Sequence, residues 1–250
     1  MNWAYCVTTV PQRKDDLLPR TLRSLAAAGF DKPRLCVDAN TGIAKSSVLD
    51  VTRAYAEAFP DLELTVRFPN IRTYGNWVLS LAELYIRNPG ADRFLIAQDD
   101  FVTYRNLRSY LEKCAYPERG YWNLYTMPSN QTLAPDATGW YLSNQFGRGA
   151  VALVFNRETV LTLLTHQHMV ERPMDAHRGW KAVDGGVVTA LAKAGWKEWV
   201  HNPSLTQHTG LVSSMANKPH KLAESFRGEE VDALTFLEER RCPTVESATA

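Results

Sequence analysis

Phe94-Leu95-Ile96-Ala97-Gln98-Asp99-Asp100-Phe101 is the stretch on which the reading of the fold turns. An apolar run this short, closed by polar residues, reads as a buried strand that delivers two adjacent carboxylates to its carboxyl end. Such like charges repel. A hard divalent cation with oxygen ligands, Mn²⁺ or Mg²⁺, is a common way to stabilise them, and a solvated strand end is the plain alternative.

Working outward, residues 4–10, 34–38, 62–68 and 93–98 are short, rich in β-branched or aromatic residues, and end at polar or turn residues. Between them lie helical patterns. Residues 16–28 carry Leu18, Leu22 and Leu25 at helical spacing and stop at Gly29, and residues 46–59 and 74–87 are closed by Pro60 and Pro89. Alternation of this kind predicts an α/β fold: a Rossmann-like mixed, mostly parallel sheet with helices on both faces. In open sheets ligands bind beyond the carboxyl ends of the strands, so residues 8–13, 38–40, 68–72 and 98–100 should converge on one cleft.

The second half is less regular. Residues 121–126 and 150–155 read as strands, 157–165 and 183–194 as helices, and 198–201 as a last short strand before a loop over 202–219. A helix is expected over 231–237 and a disordered tail over 244–250, with one domain spanning 1–243.

Across 250 residues, 28 Lys and Arg stand against 27 Asp and Glu, so no global field attracts nucleic acid or an anionic membrane. No stretch approaches the roughly 20 apolar residues that span a bilayer, which leads us to expect a cytoplasmic protein with no membrane partner. Cys6, Cys36, Cys114 and Cys242 form no C-x-x-C pair and read as small hydrophobes. Neither a phosphate-binding G-x-x-x-x-G-K-[ST] loop nor a G-x-S-x-G elbow occurs, and Gly147-Arg148-Gly149-Ala150 is no dinucleotide fingerprint.

Gln98, Asp99 and Asp100 resemble the D-x-D or E-D-D motif of glycosyltransferases with the A-type fold, with Gln98 in place of the first acid. The resemblance implies a nucleotide-sugar donor, UDP-linked by preference, whose diphosphate is bridged by a cation on Asp100, with Gln98 at the ribose and Asp99 in the same site. Thr8-Thr9-Val10-Pro11-Gln12-Arg13 resembles the first strand and loop of these enzymes, which receive the nucleoside; this places Thr9, Arg13 and, on the second strand, Asp38 at the donor. It divides the chain into a donor half, about 1–101, and an acceptor half, about 102–220. Arg72 and Asn76 flank Gly75 and read either as ribose or diphosphate contacts or as a surface arginine and a helix cap.

Residues 203–214, Pro-Ser-Leu-Thr-Gln-His-Thr-Gly-Leu-Val-Ser-Ser, are similar to the P-S-L-x-Q-H-x-G-x-x-S-S segment of N-acetylglucosaminyltransferase IV-like enzymes. That likeness makes His208 a metal ligand and Ser213 and Ser214 phosphate contacts. Inverting transfer needs a general base at the acceptor hydroxyl; Asp184 before Gly185 and Gly186 fits, with a helix N-cap as its other reading and Asp175 and Glu171 in reserve. Trp140, Tyr141, Trp180 and Trp196 read as sugar-stacking or simply packed aromatics.

Two other classes stay open: a metal-dependent hydrolase drawing on Asp99, Asp100, His166, His168 and His208, and a non-catalytic module that binds sugar nucleotides or glycans. The acceptor is read as either a glycan or a hydroxymethylated DNA base, with Arg13, Lys14, Arg20 and Arg23, or Arg105 and Arg108, as phosphate contacts or solvated helix faces. Neither donor sugar nor oligomeric state is legible.

Overall fold

A computed structural model describes residues 1–39, 47–68, 71–170, 183–210 and 221–239. The chain first alternates β1 (Trp3–Thr9), α1 (Leu17–Ala27), β2 (Arg34–Asp38), α2 (Val48–Ala58), β3 (Leu64–Arg67), α3 (Arg72–Arg87) and β4 (Arg93–Gln98). It continues through β5 (Phe101–Thr103), α4 (Leu107–Lys113), β6 (Gly120–Asn123), α5 (Pro128–Leu133), β7 (Gly139–Leu142) and β8 (Ala152–Asn156). The remaining elements are α6 (Arg157–Thr165), α7 (Gln167–Val170), α8 (Val183–Lys193), β9 (Lys197–Asn202), β10 (Thr206–His208) and α9 (Thr235–Glu239).

Eight strands form one sheet in the order β3-β2-β1-β4-β8-β6-β9-β7. Strands β1 to β4 run parallel, β8 is antiparallel to both β4 and β6, β9 is parallel to β6, and β7 is antiparallel to β9. The expected mixed, mostly parallel sheet is therefore present. Its two faces are covered by different helices because successive strand residues point to opposite sides. Leu95 and Ala97 of β4 face the layer of Leu18 and Leu25 from α1 and Val51 and Tyr55 from α2; Phe94 and Ile96 face Trp77 and Leu81 of α3, Val160 of α6 and Val187 of α8. Cys6 and Cys36 are buried in the second layer, as small hydrophobes should be.

Helix ends follow local chemistry. Ser47 and Asp50 close a capping box at α2, Asn156 caps α6 by accepting from the Thr159 N–H at 2.8 Å, and Gly29 follows α1 with φ +91°. The expected loop over 202–219 is corrected at its start: residues 206–208 form β10, which pairs antiparallel with β5 through Thr206–Thr103, Gln207–Val102 and His208–Phe101. Three residues carry too little periodicity to be read as a strand. The expected helix over 231–237 begins only at Thr235, and α4, α5 and the edge strand β7 were not foreseen. The tail 244–250 lies outside the described residues.

Asn76 departs from its expected place. It is 2% exposed, donates through Nδ2 to the Cys36 carbonyl at 2.9 Å and accepts at Oδ1 from Arg67 at 2.8 Å. The side chain thus ties α3 to β2 and β3. Losing one partner of such buried bonds costs about 1–3 kcal/mol. Asn76→Ala is expected to lower unfolding free energy by that amount in a denaturant titration while leaving the affinity for nucleotide unchanged.

Candidate active site

The site forms where β4 ends and the chain turns into β5. One edge of β5 pairs with β10; α1 holds the other through two hydroxyls. Thr21 Oγ1 donates to the Phe101 carbonyl at 2.9 Å and accepts from its N–H at 3.2 Å, and Ser24 Oγ does the same with Thr103 at 3.3 and 2.8 Å. With both ends of the turn fixed, Asp99 and Asp100 have little freedom. Both are buried, 2% and 1% exposed.

A single atom joins them. Arg13 Nη1 lies 2.6 Å from Asp99 Oδ1 and 2.6 Å from Asp100 Oδ2, while Thr9 Oγ1 donates to Asp99 Oδ2 at 2.6 Å. Two like charges roughly 4 Å apart repel by about 4 kcal/mol at an effective dielectric of 20, so a guanidinium between them gains two attractions against that one repulsion. Burial pushes the Asp99 carboxyl up to about 6; Arg13 opposes that rise and the Asp100 charge adds to it. Burial alone would lower the Arg13 guanidinium, and the two carboxylates reverse this and raise it. Tyr55 donates to the Val10 carbonyl at 3.0 Å, pinning the loop that carries Arg13. It is a site residue that sequence reading missed, because its pattern is that of an ordinary core position on α2.

The β10 register brings His208 to the acid pair. His208 stands opposite Phe101, the Thr209 N–H donates to the Asp100 carbonyl at 2.8 Å, and His208 Nε2 is 3.6 Å from Asp100 Oδ2. That gap exceeds a hydrogen bond and approaches the roughly 3 Å between adjacent ligands of a cation bound at about 2.1 Å. A Cβ on Gly210 would lie 3.0 Å from Asp100 Oδ2 and 3.4 Å from His208 Cε1, so glycine keeps this cradle open. The Asp100 carboxylate suits Mn²⁺ or Mg²⁺, the imidazole is a donor more usual for transition-metal ions, and Arg13 already marks the place as one where a cation is favourable. Among the described residues no group of three or more His, Cys, Asp or Glu side chains converges as a metal site. A cation on Asp100 and His208 would take its other donors from a bound ligand and water, as Mg²⁺ commonly does with phosphates.

Other expected residues are placed as follows. Gln98 donates through Nε2 to the Ala150 carbonyl at 2.9 Å, fastening β4 to the chain entering β8. Asp38, 2% exposed, accepts from the Ile71 N–H at 3.2 Å and serves the first turn of α3, where Arg72 is exposed with φ +60°. Burial raises the Asp38 carboxyl, and the Ile71 and Arg72 N–H groups oppose the rise. Asp184, in the first turn of α8, accepts from the Gly149 N–H at 3.0 Å and from the Gly185 N–H at 2.9 Å. Asp184 is the second residue of α8 and does not precede its first, so the N-cap reading does not describe it; its carboxylate joins the loop at Gly149 to the start of the helix. His166 and His168, with ring centroids 6.4 Å apart, form no three-ligand cluster with the acid pair. Trp140 stacks on Trp122 at 4.6 Å, and Trp196 is buried. Ser213, Ser214, Glu171, Asp175 and Trp180 lie outside the described residues.

No sequence-family profile matches the chain, and no curated protein matches it in sequence. Solved structures do. The mannosyltransferase PcManGT from Pyrobaculum calidifontis, in complex with GDP-Man and Mn²⁺, superposes with a TM-score of 0.51 at 17% identity, over 79% of this chain and 53% of that one. GalNAc-T7 with UDP, GalNAc and Mn²⁺ superposes with a TM-score of 0.52 at 10% identity, over 80% of this chain and 42% of that one. The fold is the A-type glycosyltransferase fold. At these identities the likeness carries architecture alone, and this chain spans about half the length of the structures it matches. Among the described residues no helix is long and apolar enough to cross a membrane.

The raised Asp99 carboxyl sets a pH dependence. A carboxyl whose folded value lies above its unfolded value, about 3.9, contributes stability that is full below the unfolded value and is lost as pH rises through about 6. Asn imitates the protonated form. In excess chelator, the stability of the parent protein relative to Asp99→Asn should therefore fall between about pH 4 and 6; a flat difference in thermal unfolding across that window would refute the assignment.

Proposed function

We propose that the chain is a divalent-metal-dependent glycosyltransferase that moves a sugar from a nucleotide-sugar donor, UDP-linked by preference, to an acceptor hydroxyl with inversion. The observation that supports this most is the meeting of Asp100, His208, Gly210 and Arg13 at the end of β4, in a fold shared with nucleotide-sugar-bound structures. Asp100 and His208 would hold Mn²⁺ or Mg²⁺, which when bound neutralises charge developing on the leaving diphosphate. Arg13 adds a second positive charge beside that group, and Asp99 with Thr9 keeps Arg13 directed at the site. Gln98, Asp38 and Arg72 line the strand ends expected to receive the nucleoside; Ser213 and Ser214 complete the phosphate contacts in this proposal, which keeps the likeness of residues 203–214 to N-acetylglucosaminyltransferase IV-like enzymes as its source.

Asp184 is the proposed general base. Each of its oxygens accepts one backbone N–H, and a carboxylate oxygen has two acceptor sites, so an acceptor hydroxyl can still be bound and its proton taken. The acceptor is proposed to be a glycan or a hydroxymethylated DNA base. The hydrolase alternative is less favoured because His166 and His168 do not join the acid pair in a metal-binding cluster.

Incubation with a panel of nucleotide sugars, Mn²⁺ or Mg²⁺ and candidate acceptors should release nucleotide, and excess chelator should abolish release. Asp100→Ala and His208→Ala should each weaken Mn²⁺ binding in calorimetry; unchanged affinity in both would place the cation elsewhere. Asp184→Asn keeps shape and loses basicity. Its kcat should fall about 10²- to 10⁴-fold with donor affinity retained, and a product that keeps the donor's anomeric configuration would exclude this role.

A further inference from the structure

Glu198 is a buried carboxylic acid away from the acid pair. It sits on β9 between β6 and β7, 2% exposed, where an apolar side chain of similar size would pack without desolvating a charge. Burial raises its carboxyl, hydrogen bonds from Ser143, Asn123 and Tyr121 oppose the rise, and the charge of Asp184 adds to it. What Glu198 holds explains its presence. Its Oε1 accepts from the Tyr121 hydroxyl at 3.2 Å and from Asn123 Nδ2 at 3.1 Å. The second Asn123 donor reaches the Arg148 carbonyl at 3.2 Å, while Asn123 Oδ1 accepts from the Tyr125 N–H at 3.1 Å. With two acceptors on its nitrogen and one donor on its oxygen, the amide has one orientation that satisfies every bond.

The Arg148 carbonyl and the Gly149 N–H belong to one planar peptide group, and the Gly149 N–H donates to Asp184 Oδ2 at 3.0 Å. A plane gripped at its oxygen by Asn123 transmits that grip to its N–H. The surrounding loop leaves little slack. Gln145 clasps the Glu198 backbone, accepting from its N–H at 3.0 Å and donating to its carbonyl at 2.8 Å. Gly149 has φ +79°, and a Cβ there would meet Tyr125 Cδ1 at 2.4 Å; Gly147 has φ +56°, and a Cβ there would meet Val188 Cγ1 at 2.3 Å. The chain at 147–149 is pressed against Tyr125, just beyond β6, and against α8 in a conformation that side chains disfavour.

We infer that Glu198 and Asn123 are positioning residues that fix Asp184 through the Arg148–Gly149 peptide group, an inference that rests on Asp184 being the base. Neither touches the reacting atoms. Their effect is orientation: misplacing a catalytic group by about 1 Å can cost on the order of 10²-fold in rate.

The test is a double-mutant cycle on the whole chain, with nucleotide-sugar turnover, Mn²⁺ binding and thermal unfolding read in parallel. Asn123→Ala should lower kcat tenfold or more, with Mn²⁺ affinity and donor KM unchanged, and should add no further loss on top of Asp184→Asn. Asn123→Asp, nearly isosteric, sets a carboxylate against Glu198 and the Arg148 carbonyl and should lose as much, which covers the case in which the alanine variant folds poorly. Glu198→Gln, which keeps an acceptor for Asn123 and Tyr121, should restore most of the kcat that Glu198→Ala loses. Losses that multiply between Asn123→Ala and Asp184→Asn would overturn the positioning role while leaving the base assignment in place. Full activity of Asp184→Asn would instead remove the base assignment, and the positioning role with it.

Discussion

Two adjacent carboxylates buried at the end of a central strand impose the condition that the surrounding structure meets. In water the pair would be screened; at 2% and 1% exposure it is not, and each charge must be met by a partner within the fold. Arg13 supplies the charge and Thr9 a hydroxyl, both from the segment at the end of β1 and the loop after it, with Tyr55 fastening that loop from α2. The Thr21 and Ser24 hydroxyls fix β5, and β10 fixes the other edge, so the geometry of the acids is over-determined from several directions. The outcome is a patch of charge whose geometry is fixed by the fold before the anionic ligand and cation proposed for it would bind.

The sheet topology places two kinds of group on one rim. Parallel strands β1, β2 and β4 bring their carboxyl ends, and with them Thr9, Asp38 and Gln98, to one rim. Because β8 runs antiparallel to β4, its entry lies beside Gln98, and the loop at 147–149 that leads into it touches Asp184 at the start of α8. A reversal of a single strand thereby sets the proposed base on the same rim as the acid pair. Asp99, Asp38 and Asn76 bond to groups of the fold itself, and Asp100, held by Arg13 at 2.6 Å, also faces His208 across a gap of 3.6 Å that Gly210 keeps clear.

Much of this was legible in the chain. Strand–helix alternation over residues 1–100 announces the sheet because periodicities of two and of about 3.6 are local properties, readable within a window of a dozen residues. Two strands, 34–38 and 93–98, and the helix 157–165 coincide with β2, β4 and α6 to the residue. The acidic pair and the segment around His208 declare themselves by residue type and spacing. The short elements β5, β7 and β10 do not, since three or four residues hold no period and their backbone bonds are made to distant partners.

What the sequence by itself determined, then, is the strand–helix alternation of the first hundred residues and the inventory of groups able to do chemistry. Tertiary structure alone decided which of those groups meet. Arg13 and Asp99 are 86 residues apart, Glu198 and Asn123 are 75 apart, and Asn76 reaches back 40 residues to Cys36. A hydrogen bond is set by a fraction of an ångström and by angle, and such a coincidence depends on strand order, register and helix placement together. For that reason Asn76 reads from sequence as a ligand contact or a cap and proves to be a tie between layers, and Glu198 reads as part of a strand and proves to be the anchor of a loop.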